Sequence, residues 1–288
     1  MTLGLRKRHV GVFGQPYADL SELVDTSSLG AVHGEITRGL AVVESEYTGG
    51  TLKWMGVCAP WVVSDPYRDA MHAIRAMSRD ELAEILALRE EGDDDAIDLD
   101  DPEVAFGDET ERPFTRAQMR FLEQRHGVYF PWKVCYHLLK NDRWEDKHCG
   151  AGKGFSAEAR EVFPKTAAFI ESLPFIEIGR AVVFGLLAND HAPAHRDTEP
   201  GRGLPIAQSI SFAPSHSAGG AADRHKRFYL ATPDGSSEVV VDAPVYWFND
   251  MDWHGVHADP FFRYSVRVDG VFEPDFLEQI RCAAARLR

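Results

Sequence analysis

The stretch from residue 178 to residue 269 restricts the fold more than any other part of the sequence. Short segments of alternating apolar and polar residues follow one another there, and turn signals such as Pro233-Asp234-Gly235 separate them. Many short strands after one helical region are typical of two sheets that close into a jelly roll. The pattern predicts six strands, at 178–188, 204–212, 226–231, 238–242, 244–249 and 263–269.

The sequence before these strands predicts helices that flank the sheets. Apolar residues recur at helical spacing over 66–91, where Ser78 and Glu81 are placed as a capping box. Further helices are predicted at 115–125, at 156–172 and at the C-terminus. We therefore expect three parts: an N-terminal helical and loop region at 1–174, a double-stranded β-helix core at 175–271 and a C-terminal helix at 272–288.

The net charge of −14 is concentrated in one segment. Residues 90–111 contain 12 acidic residues and no Lys or Arg, so the rest of the chain carries a net charge of −2. The segment lacks the Gly and the terminal Glu of a calcium-binding loop, and we interpret residues 90–113 as a solvated acidic insertion. A nearly neutral body offers no basic face for phosphates, so we expect no nucleic-acid partner.

Cysteine usage and hydropathy indicate the compartment. The four cysteines are scattered without a CxxC pair, which predicts reduced thiols in a cytoplasmic protein. No apolar run approaches the roughly 20 residues that cross a bilayer. The first residues are basic but lack the apolar block and cleavage site of a signal peptide. We expect a cytoplasmic protein with no membrane partner; the sequence leaves the oligomeric state open.

Two histidines and an aspartate in the strand region have the spacing of a metal site. His195 and Asp197 are two residues apart, so on an extended strand both side chains leave the same face. His254 follows Asp197 by 57 residues, which is enough chain for several strands to bring a third ligand back. Two imidazoles and one carboxylate form the facial triad of non-haem Fe(II) oxygenases. We expect His195, Asp197 and His254 to be the metal ligands and the catalytic centre.

An arginine and a serine follow the distal histidine on one predicted strand. Arg263 comes nine residues after His254, and Ser265 lies two residues later on the same strand face. A guanidinium fork beside a hydroxyl is suited to grip a carboxylate. Arg263 and Ser265 are therefore the candidate binding residues for a carboxylate co-substrate.

These residues and spacings resemble the Fe(II)/2-oxoglutarate-dependent dioxygenases over residues 179–271, about a third of the chain. The resemblance implies a cupin-like double-stranded β-helix, with iron on the His-x-Asp…His set. It implies 2-oxoglutarate and O2 as co-substrates, with Arg263 and Ser265 on the far carboxylate. In related halogenases a small residue takes the position of Asp197, so the carboxylate here favours hydroxylation.

The block from Phe248-Asn249-Asp250 to Val268-Asp269 also looks like the aspartyl/asparaginyl β-hydroxylase branch of that superfamily. That branch characteristically lacks the carboxylate ligand, whereas this chain has Asp197. The likeness favours an amino acid or a peptidyl residue as substrate without fixing it.

A shifted register is the main alternative for the site. His257 lies ten residues before Arg267, so this pair could replace His254 and Arg263. Two residues after Arg267 stands Asp269, which would repel a carboxylate, whereas Arg263 has a hydroxyl at that place. We therefore favour His254 and Arg263, and we place His257 next to the ligands or towards the substrate.

The sequence predicts an oxidoreductase, a 2-oxoglutarate-dependent dioxygenase that hydroxylates a C–H bond of a small-molecule or peptide substrate. One alternative is a metal-binding cupin-type protein without catalytic activity, although such a protein has no need of Arg263 and Ser265. Another is an oxygenase that desaturates or cyclises a small natural product. The sequence does not separate hydroxylation from these reactions.

Overall fold

The computed structural model describes residues 9–45, 56–59, 61–63, 68–89, 99–100, 114–140, 153–198, 206–213 and 228–286. The chain forms two compact units, one made of Met1–Ser45 and Tyr136–Arg288 and the other of Glu46–Cys135. Of the acidic insertion predicted at 90–113, only residues 99–100 lie within the described ranges.

Strands dominate the first unit. Within the described ranges the strands are, in chain order, β1 (Tyr17–Asp19), β2 (Val57–Cys58), β3 (Val128–Tyr129), β4 (Val134–His137), β5 (Phe175–Leu186), β6 (Ala192–His195), β7 (Gln208–Phe212), β8 (Phe228–Ala231), β9 (Glu238–Val240), β10 (Val245–Phe248), β11 (Trp253–Val256) and β12 (Arg263–Phe272). The helices are α1 (Leu29–Gly39), α2 (Ala70–Arg75), α3 (Arg79–Leu86), α4 (Arg116–His126), α5 (Ala157–Val162), α6 (Pro164–Glu171) and α7 (Pro274–Arg286).

Two sheets share the strands from β5 onward. The larger sheet has the order β1-β10-β7-β12-β5-β4, and the smaller has the order β6-β11-β8-β9. The strands β10, β7, β12 and β5 pair antiparallel, and so do β6, β11, β8 and β9. The chain thus returns repeatedly from one sheet to the other, which is the topology of a double-stranded β-helix. The predicted fold class, mainly β with flanking helices, is confirmed.

The larger sheet is wider than the core predicted at 175–271. Its two edge strands are β1 and β4, both of which precede residue 175 in the sequence. The three-part division of the chain stays a prediction, but the region 1–174 contributes strands to the sheet as well as helices. C-terminal helix α7 lies within the range predicted for it.

Strand β12 separates an apolar face from a polar one. Tyr264, Val266 and Val268 are buried in the hydrophobic core that also contains residues of α1, α5 and α6. The alternate residues Arg263, Ser265, Arg267 and Asp269 leave the opposite face, because successive side chains of a strand point to opposite sides. A second, smaller cluster of apolar residues, built around Tyr246 and Phe248 of β10, includes Leu230 from the other sheet.

The helix predicted at 156–172 is two helices. The hydroxyl of Ser156 caps α5 by accepting a hydrogen bond from the backbone N–H of Ala159 at 3.0 Å. Pro164 then begins α6, because proline has no backbone N–H to donate and is tolerated only in the first turn. The carboxylate of Glu35 accepts hydrogen bonds from the backbone N–H groups of Lys165 and Thr166, so it satisfies the start of α6.

The second unit contains helices α2, α3 and α4 with the two-stranded sheet of β2 and β3. Ser78 and Glu81 form the predicted capping box at the start of α3, and Thr115 and Gln118 form another at the start of α4. Burial raises the pKa of the Cys58 thiol to about 12, so this cysteine is protonated at neutral pH. In the described ranges no helix has both the length and the apolar character of a membrane span.

Within the core predicted at 175–271, two short strands, β6 and β11, are absent from the predicted set. The sequence of β6 is Ala-Pro-Ala-His and that of β11 is Trp-His-Gly-Val, so neither shows a clear alternation of apolar and polar residues. They pair with each other, with His254 opposite His195. The two strands of the predicted core that the alternation pattern does not reveal are therefore the ones that carry both histidines.

The close approach of β6, β11 and β8 generates a prediction at Gly255. A Cβ atom there would lie 2.6 Å from the carbonyl oxygen of Ala192 and 2.4 Å from the hydroxyl of Tyr229. We expect Gly255→Ala to lower the free energy of unfolding by about 1–3 kcal/mol, because backbone atoms must move to admit the methyl group. Urea titration measures the change.

The matched control is Gly30→Ala in α1, where a Cβ would meet nothing within 4 Å. We expect this variant to be unchanged or stabilised by up to about 1 kcal/mol, since alanine favours the helix. Equal stability of the Gly255→Ala and native proteins would contradict the close packing of β6 against β11.

Candidate metal centre

The two histidines of the predicted triad face each other across one strand pair. His195 is the last residue of β6 and His254 the second residue of β11. Opposed residues in an antiparallel pair project to the same face, and the two ring centroids lie 4.4 Å apart. The imidazoles are therefore neighbours on the inner side of the smaller sheet.

Asp197 completes the group from a position beyond the end of β6. Its backbone N–H donates to the carbonyl of Asp250 at 3.0 Å, which holds this segment next to the start of β11. Its Oδ1 lies 3.7 Å from Nε2 of His195 and 3.5 Å from Nε2 of His254. One donor atom from each of the three residues lies within 4.8 Å of the other two. The structure therefore brings together the three residues that the sequence predicted as ligands.

Backbone carbonyls fix the tautomer of both imidazoles. Nδ1 of His195 is 2.8 Å from the carbonyl oxygen of Pro193, and Nδ1 of His254 is 2.9 Å from that of Asp252. A carbonyl oxygen only accepts, so each Nδ1 carries a proton, and in the neutral form of each ring the lone pair is then on Nε2. Both lone pairs thus belong to the nitrogens that lie near Asp197. A metal-binding histidine is commonly oriented in this way through its other ring nitrogen.

The ionisation states also suit a cation. Burial, together with the nearby His254, lowers the pKa of His195 to about 4, so this imidazole is neutral at pH 7. Burial alone would raise the pKa of Asp197, but His254, Arg267 and His195 hold it well below its ordinary value. Two imidazole nitrogens and a carboxylate are ligands that divalent first-row transition metals accept. The donor set fits such a metal.

Asp197 is also the first member of a buried chain of charges. Its Oδ2 accepts a hydrogen bond from Nη1 of Arg267 at 2.8 Å, and Nε of Arg267 donates to Oδ1 of Asp269 at 2.8 Å. The other oxygen of Asp269 accepts from Nε and Nη2 of Arg180, at 2.8 and 2.6 Å. Buried charges require partners of this kind, because removing them from water is costly. Charges of opposite sign therefore alternate from Asp197, in the candidate metal centre, to Arg180.

Aromatic rings line the side of the centre formed by His254. The ring of Phe248 lies 4.8 Å from the imidazole of His254, and that of Phe228 lies 5.7 Å from it, measured between centroids. The guanidinium of Arg267 stacks over Phe248 at 5.3 Å. This apolar wall lowers the local dielectric, which strengthens the interactions between the charges beside it.

Arg263 and Ser265 lie on the polar face of β12, the face that also carries Arg267. Arg263 is buried, with Nη2 donating to the carbonyl of Asp190 at 3.3 Å and Nη1 lying 3.8 Å from Oδ2 of Asp259. Ser265 is half-buried between the two arginines. Arg267 is four positions after Arg263, which is about 13 Å along the strand. Binding of a carboxylate by Arg263 and Ser265 stays a prediction.

His257, the alternative ligand considered in the sequence, lies outside the group. Its imidazole is 43% exposed, with Nε2 2.5 Å from Oε1 of Glu238. The ring stacks on Tyr229 with centroids 4.3 Å apart. The shifted register would also require Arg267 to bind a co-substrate, but this guanidinium bonds to Asp197 and Asp269. The structure thus groups His254, and not His257, with His195 and Asp197.

Asp269 does not repel an anion near Arg267, contrary to the sequence-based expectation. The guanidiniums of Arg180 and Arg267 neutralise this carboxylate. What argues against Arg267 as a co-substrate residue is its direct hydrogen bond to Asp197. Sequence reasoning also missed Asp250, whose carbonyl holds the backbone of Asp197 and whose carboxylate accepts from Thr198 at 3.3 Å. No local signal distinguishes these contacts, because each joins residues far apart in the chain.

The sequence matches no protein-family model and no curated protein. Among solved structures, an oxidoreductase of the 2OG-Fe(II) oxygenase family from Burkholderia pseudomallei is 14% identical, with a TM-score of 0.30 over 53% of this chain and 75% of that chain. A Pseudomonas putida prolyl-4-hydroxylase is 11% identical, with a TM-score of 0.29 over 48% of this chain and 71% of that chain. A prolyl hydroxylase from Trichoplax adhaerens, in complex with a hypoxia inducible factor peptide fragment, is 14% identical and has a TM-score of 0.27. The match covers 44% of this chain and 60% of that chain. Likeness at this level carries no argument about function, so the fold rests on the strand order and the site on its own geometry.

The geometry predicts which histidines bind a metal. We expect His195→Ala and His254→Ala each to abolish stoichiometric binding of Fe(II) or Co(II), because each removes one of three donor atoms. Metal content after anaerobic loading and desalting measures the loss. His257→Ala is the matched control and should keep the native metal content. Loss of metal in His257→Ala with retention in His254→Ala would show that the strand register is shifted.

Proposed function

We propose that this chain is an Fe(II)- and 2-oxoglutarate-dependent dioxygenase that hydroxylates a C–H bond. The observation that carries the proposal is the grouping of His195, Asp197 and His254 between the sheets of a double-stranded β-helix, with both Nε2 atoms near one carboxylate. Three ligands of this kind on one side of a metal leave other coordination positions open. When bound, Fe(II) with 2-oxoglutarate and O2 supplies the oxidising power for the reaction.

The residues of the triad bind and orient the metal. Both imidazoles are held in one tautomer by carbonyl acceptors, so their lone pairs are available without proton rearrangement. Asp197 contributes a negative charge that offsets part of the charge of a divalent cation. The rings of Phe228 and Phe248 exclude water from one side of the centre, which protects a reactive site from side reactions.

Arg263 and Ser265 are the proposed binding residues for the far carboxylate of 2-oxoglutarate. Arg263 is buried on the polar face of β12, and Ser265 lies next to it on that face. A buried guanidinium can donate two parallel hydrogen bonds to a carboxylate, which a single ammonium group cannot do. Arg267, the other arginine on this face, bonds directly to the metal-site carboxylate of Asp197 and to Asp269. Its place behind the triad argues against Arg267 as the co-substrate arginine.

The proposed substrate is an amino acid or a peptidyl residue. This choice rests on the likeness of residues 248–269 to the aspartyl/asparaginyl β-hydroxylase branch. Carboxylate Asp197 supports hydroxylation, as the resemblance implies. A metal-binding protein without catalytic activity is the alternative that the following test separates from the enzyme.

The test of the proposal is an anaerobic titration of the Fe(II)-loaded protein with 2-oxoglutarate. Chelation of the metal by the keto acid produces a charge-transfer absorption band, which we expect for the native protein. Exposure to O2 should then release succinate and CO2. A protein that binds Fe(II) but shows neither the band nor succinate is not a 2-oxoglutarate oxygenase, and the non-catalytic alternative then holds.

The same titration predicts the effect of changing Arg263. Hydrogen bonds to charged groups contribute about 1.5–3 kcal/mol, or about ten- to a hundred-fold in affinity. We expect Arg263→Ala to raise the dissociation constant for 2-oxoglutarate by at least ten-fold, and Arg263→Lys to restore it only in part. Ser265→Ala should have a smaller effect, because it removes one neutral donor and leaves the charge pair. Unchanged affinity in Arg263→Ala would exclude this residue as the co-substrate arginine.

A further inference from the structure

Arg267 lies at the centre of the buried chain of charges and bonds to two carboxylates through different nitrogens. Nη1 donates to Asp197 and Nε donates to Asp269, each at 2.8 Å. The two bonds leave different edges of one planar group, so together they fix its orientation. A lysine ammonium is a single point donor on a flexible stem and cannot reproduce this pair of directions.

Asp269 is itself held from the far side. Arg180 donates to its Oδ2 through both Nε and Nη2. The side chains of Arg180 and Asp269 are 0% exposed, and those of Arg267 and Asp197 are 8% and 9% exposed. Side chains this deeply buried, with charge-assisted hydrogen bonds on each side, have little freedom to reorient. Two residues outside the triad, Asp269 and Arg180, therefore hold one edge of Arg267 independently of the proposed metal ligands.

The two carboxylate oxygens of Asp197 have different surroundings, because only one of them bonds to Arg267. Oδ1 lies 3.7 and 3.5 Å from the Nε2 atoms of His195 and His254, whereas Oδ2 accepts a hydrogen bond from Arg267. A carboxylate can bind a metal through one oxygen or through both. The 2.8 Å bond from the guanidinium occupies a lone pair of Oδ2, so Oδ1 is the oxygen that is left for the side of the imidazoles.

We propose that Arg267 is a positioning residue that restricts Asp197 to metal binding through Oδ1 alone. The inference rests on the proposed metal site and extends it, because it assigns Arg267 to the ligand and not to the co-substrate. Restriction to one oxygen keeps a coordination position available that a chelating carboxylate would occupy. In a dioxygenase of the proposed kind, that position would be available to the co-substrates.

The charge of Arg267 must be kept in a variant that tests this role. Burial alone would lower the pKa of Arg267, but the carboxylates of Asp269, Asp197 and Asp250 raise it. An uncharged residue would leave these carboxylates with too few cations and would risk unfolding the chain. Arg267→Lys keeps the positive charge and removes the fork, so it isolates the geometric contribution.

The experiment is a Co(II) titration of the metal-free protein in the absence of 2-oxoglutarate, by competition with a chromogenic chelator. We expect Arg267→Lys to raise the dissociation constant for Co(II) by about 10–100-fold, which is the usual effect of losing a group that orients a ligand. The same substitution made in an Asp197→Asn protein should change the constant by less than about two-fold, because the group through which Arg267 acts is already altered. The charge-matched control is Arg160→Lys, at an exposed arginine of α5 that pairs with Glu171, which should bind Co(II) as the native protein does.

Each other outcome has a definite meaning. An equal loss of Co(II) affinity in the native and the Asp197→Asn backgrounds would show a general structural effect and overturn the inference. Unchanged Co(II) affinity with weaker 2-oxoglutarate binding would make Arg267 the co-substrate arginine, which also overturns it. A loss in Arg160→Lys as large as that in Arg267→Lys would assign the effect to arginine-to-lysine exchange in general and overturn the specific role of Arg267. Failure of the native protein to bind Co(II) or Fe(II) would remove the proposed function together with the inference.

A measurement on the native protein covers the case in which Arg267→Lys does not fold. A crystal structure of the Co(II)-loaded protein should show Asp197 bound through Oδ1, with Oδ2 still on Arg267. Binding through both oxygens, or an Arg267 that has left Asp197, would overturn the inference while leaving the metal site intact.

Discussion

The pairing of β12 with β5 on one side and β7 on the other fixes both the hydrophobic core and the candidate site of the first unit. Ten residues of β12 are opposed by β5, and the middle of the strand is opposed by β7 as well. A strand held on both edges cannot slip, since a shift of one residue would move every side chain to the other face. Tyr264, Val266 and Val268 are therefore fixed in the core, and Arg263, Ser265 and Arg267 are fixed on the polar side. The hydrophobic core and the candidate site are specified by alternate residues of one strand.

A polar interior of this kind is stable only when its charges are paired. Arg180 and Asp269 are fully buried, and a lone ion in their place would be strongly destabilising. Cations and anions alternate in the series Arg180, Asp269, Arg267 and Asp197, and this alternation offsets the cost of burying each charge. The same bonds hold the carboxylate of Asp197, the last member of the series, in one orientation. The aromatic residues around His254 keep the dielectric low, so each of these interactions acts at greater strength than it would at the surface. The paired buried charges thus stabilise the fold and also hold the carboxylate of Asp197 in place.

Sequence reasoning reached the fold class and the three grouped residues because both depend on local patterns. Alternation over 178–269 indicates strands, and the spacing of His195, Asp197 and His254 indicates ligands. It did not reveal β6 and β11, because four residues containing a proline or a glycine show too little alternation. It could not decide between His254 and His257 on burial, since burial depends on which strands become neighbours. The bond from Arg267 to Asp197 joins residues 70 positions apart and follows only from the completed topology.

The hydrogen bonds from His195 to the carbonyl of Pro193 and from His254 to that of Asp252 have one more consequence. In both cases the acceptor is the main chain two residues upstream, so the protonated nitrogen is chosen by backbone geometry and not by a neighbouring side chain. Substitutions around the centre can therefore change its size, charge or polarity without exchanging the imidazole tautomers. At the proposed metal site, binding and release of a metal would leave each proton on the same nitrogen. The orientation of the two candidate nitrogen donors is in this respect independent of the side chains that surround them.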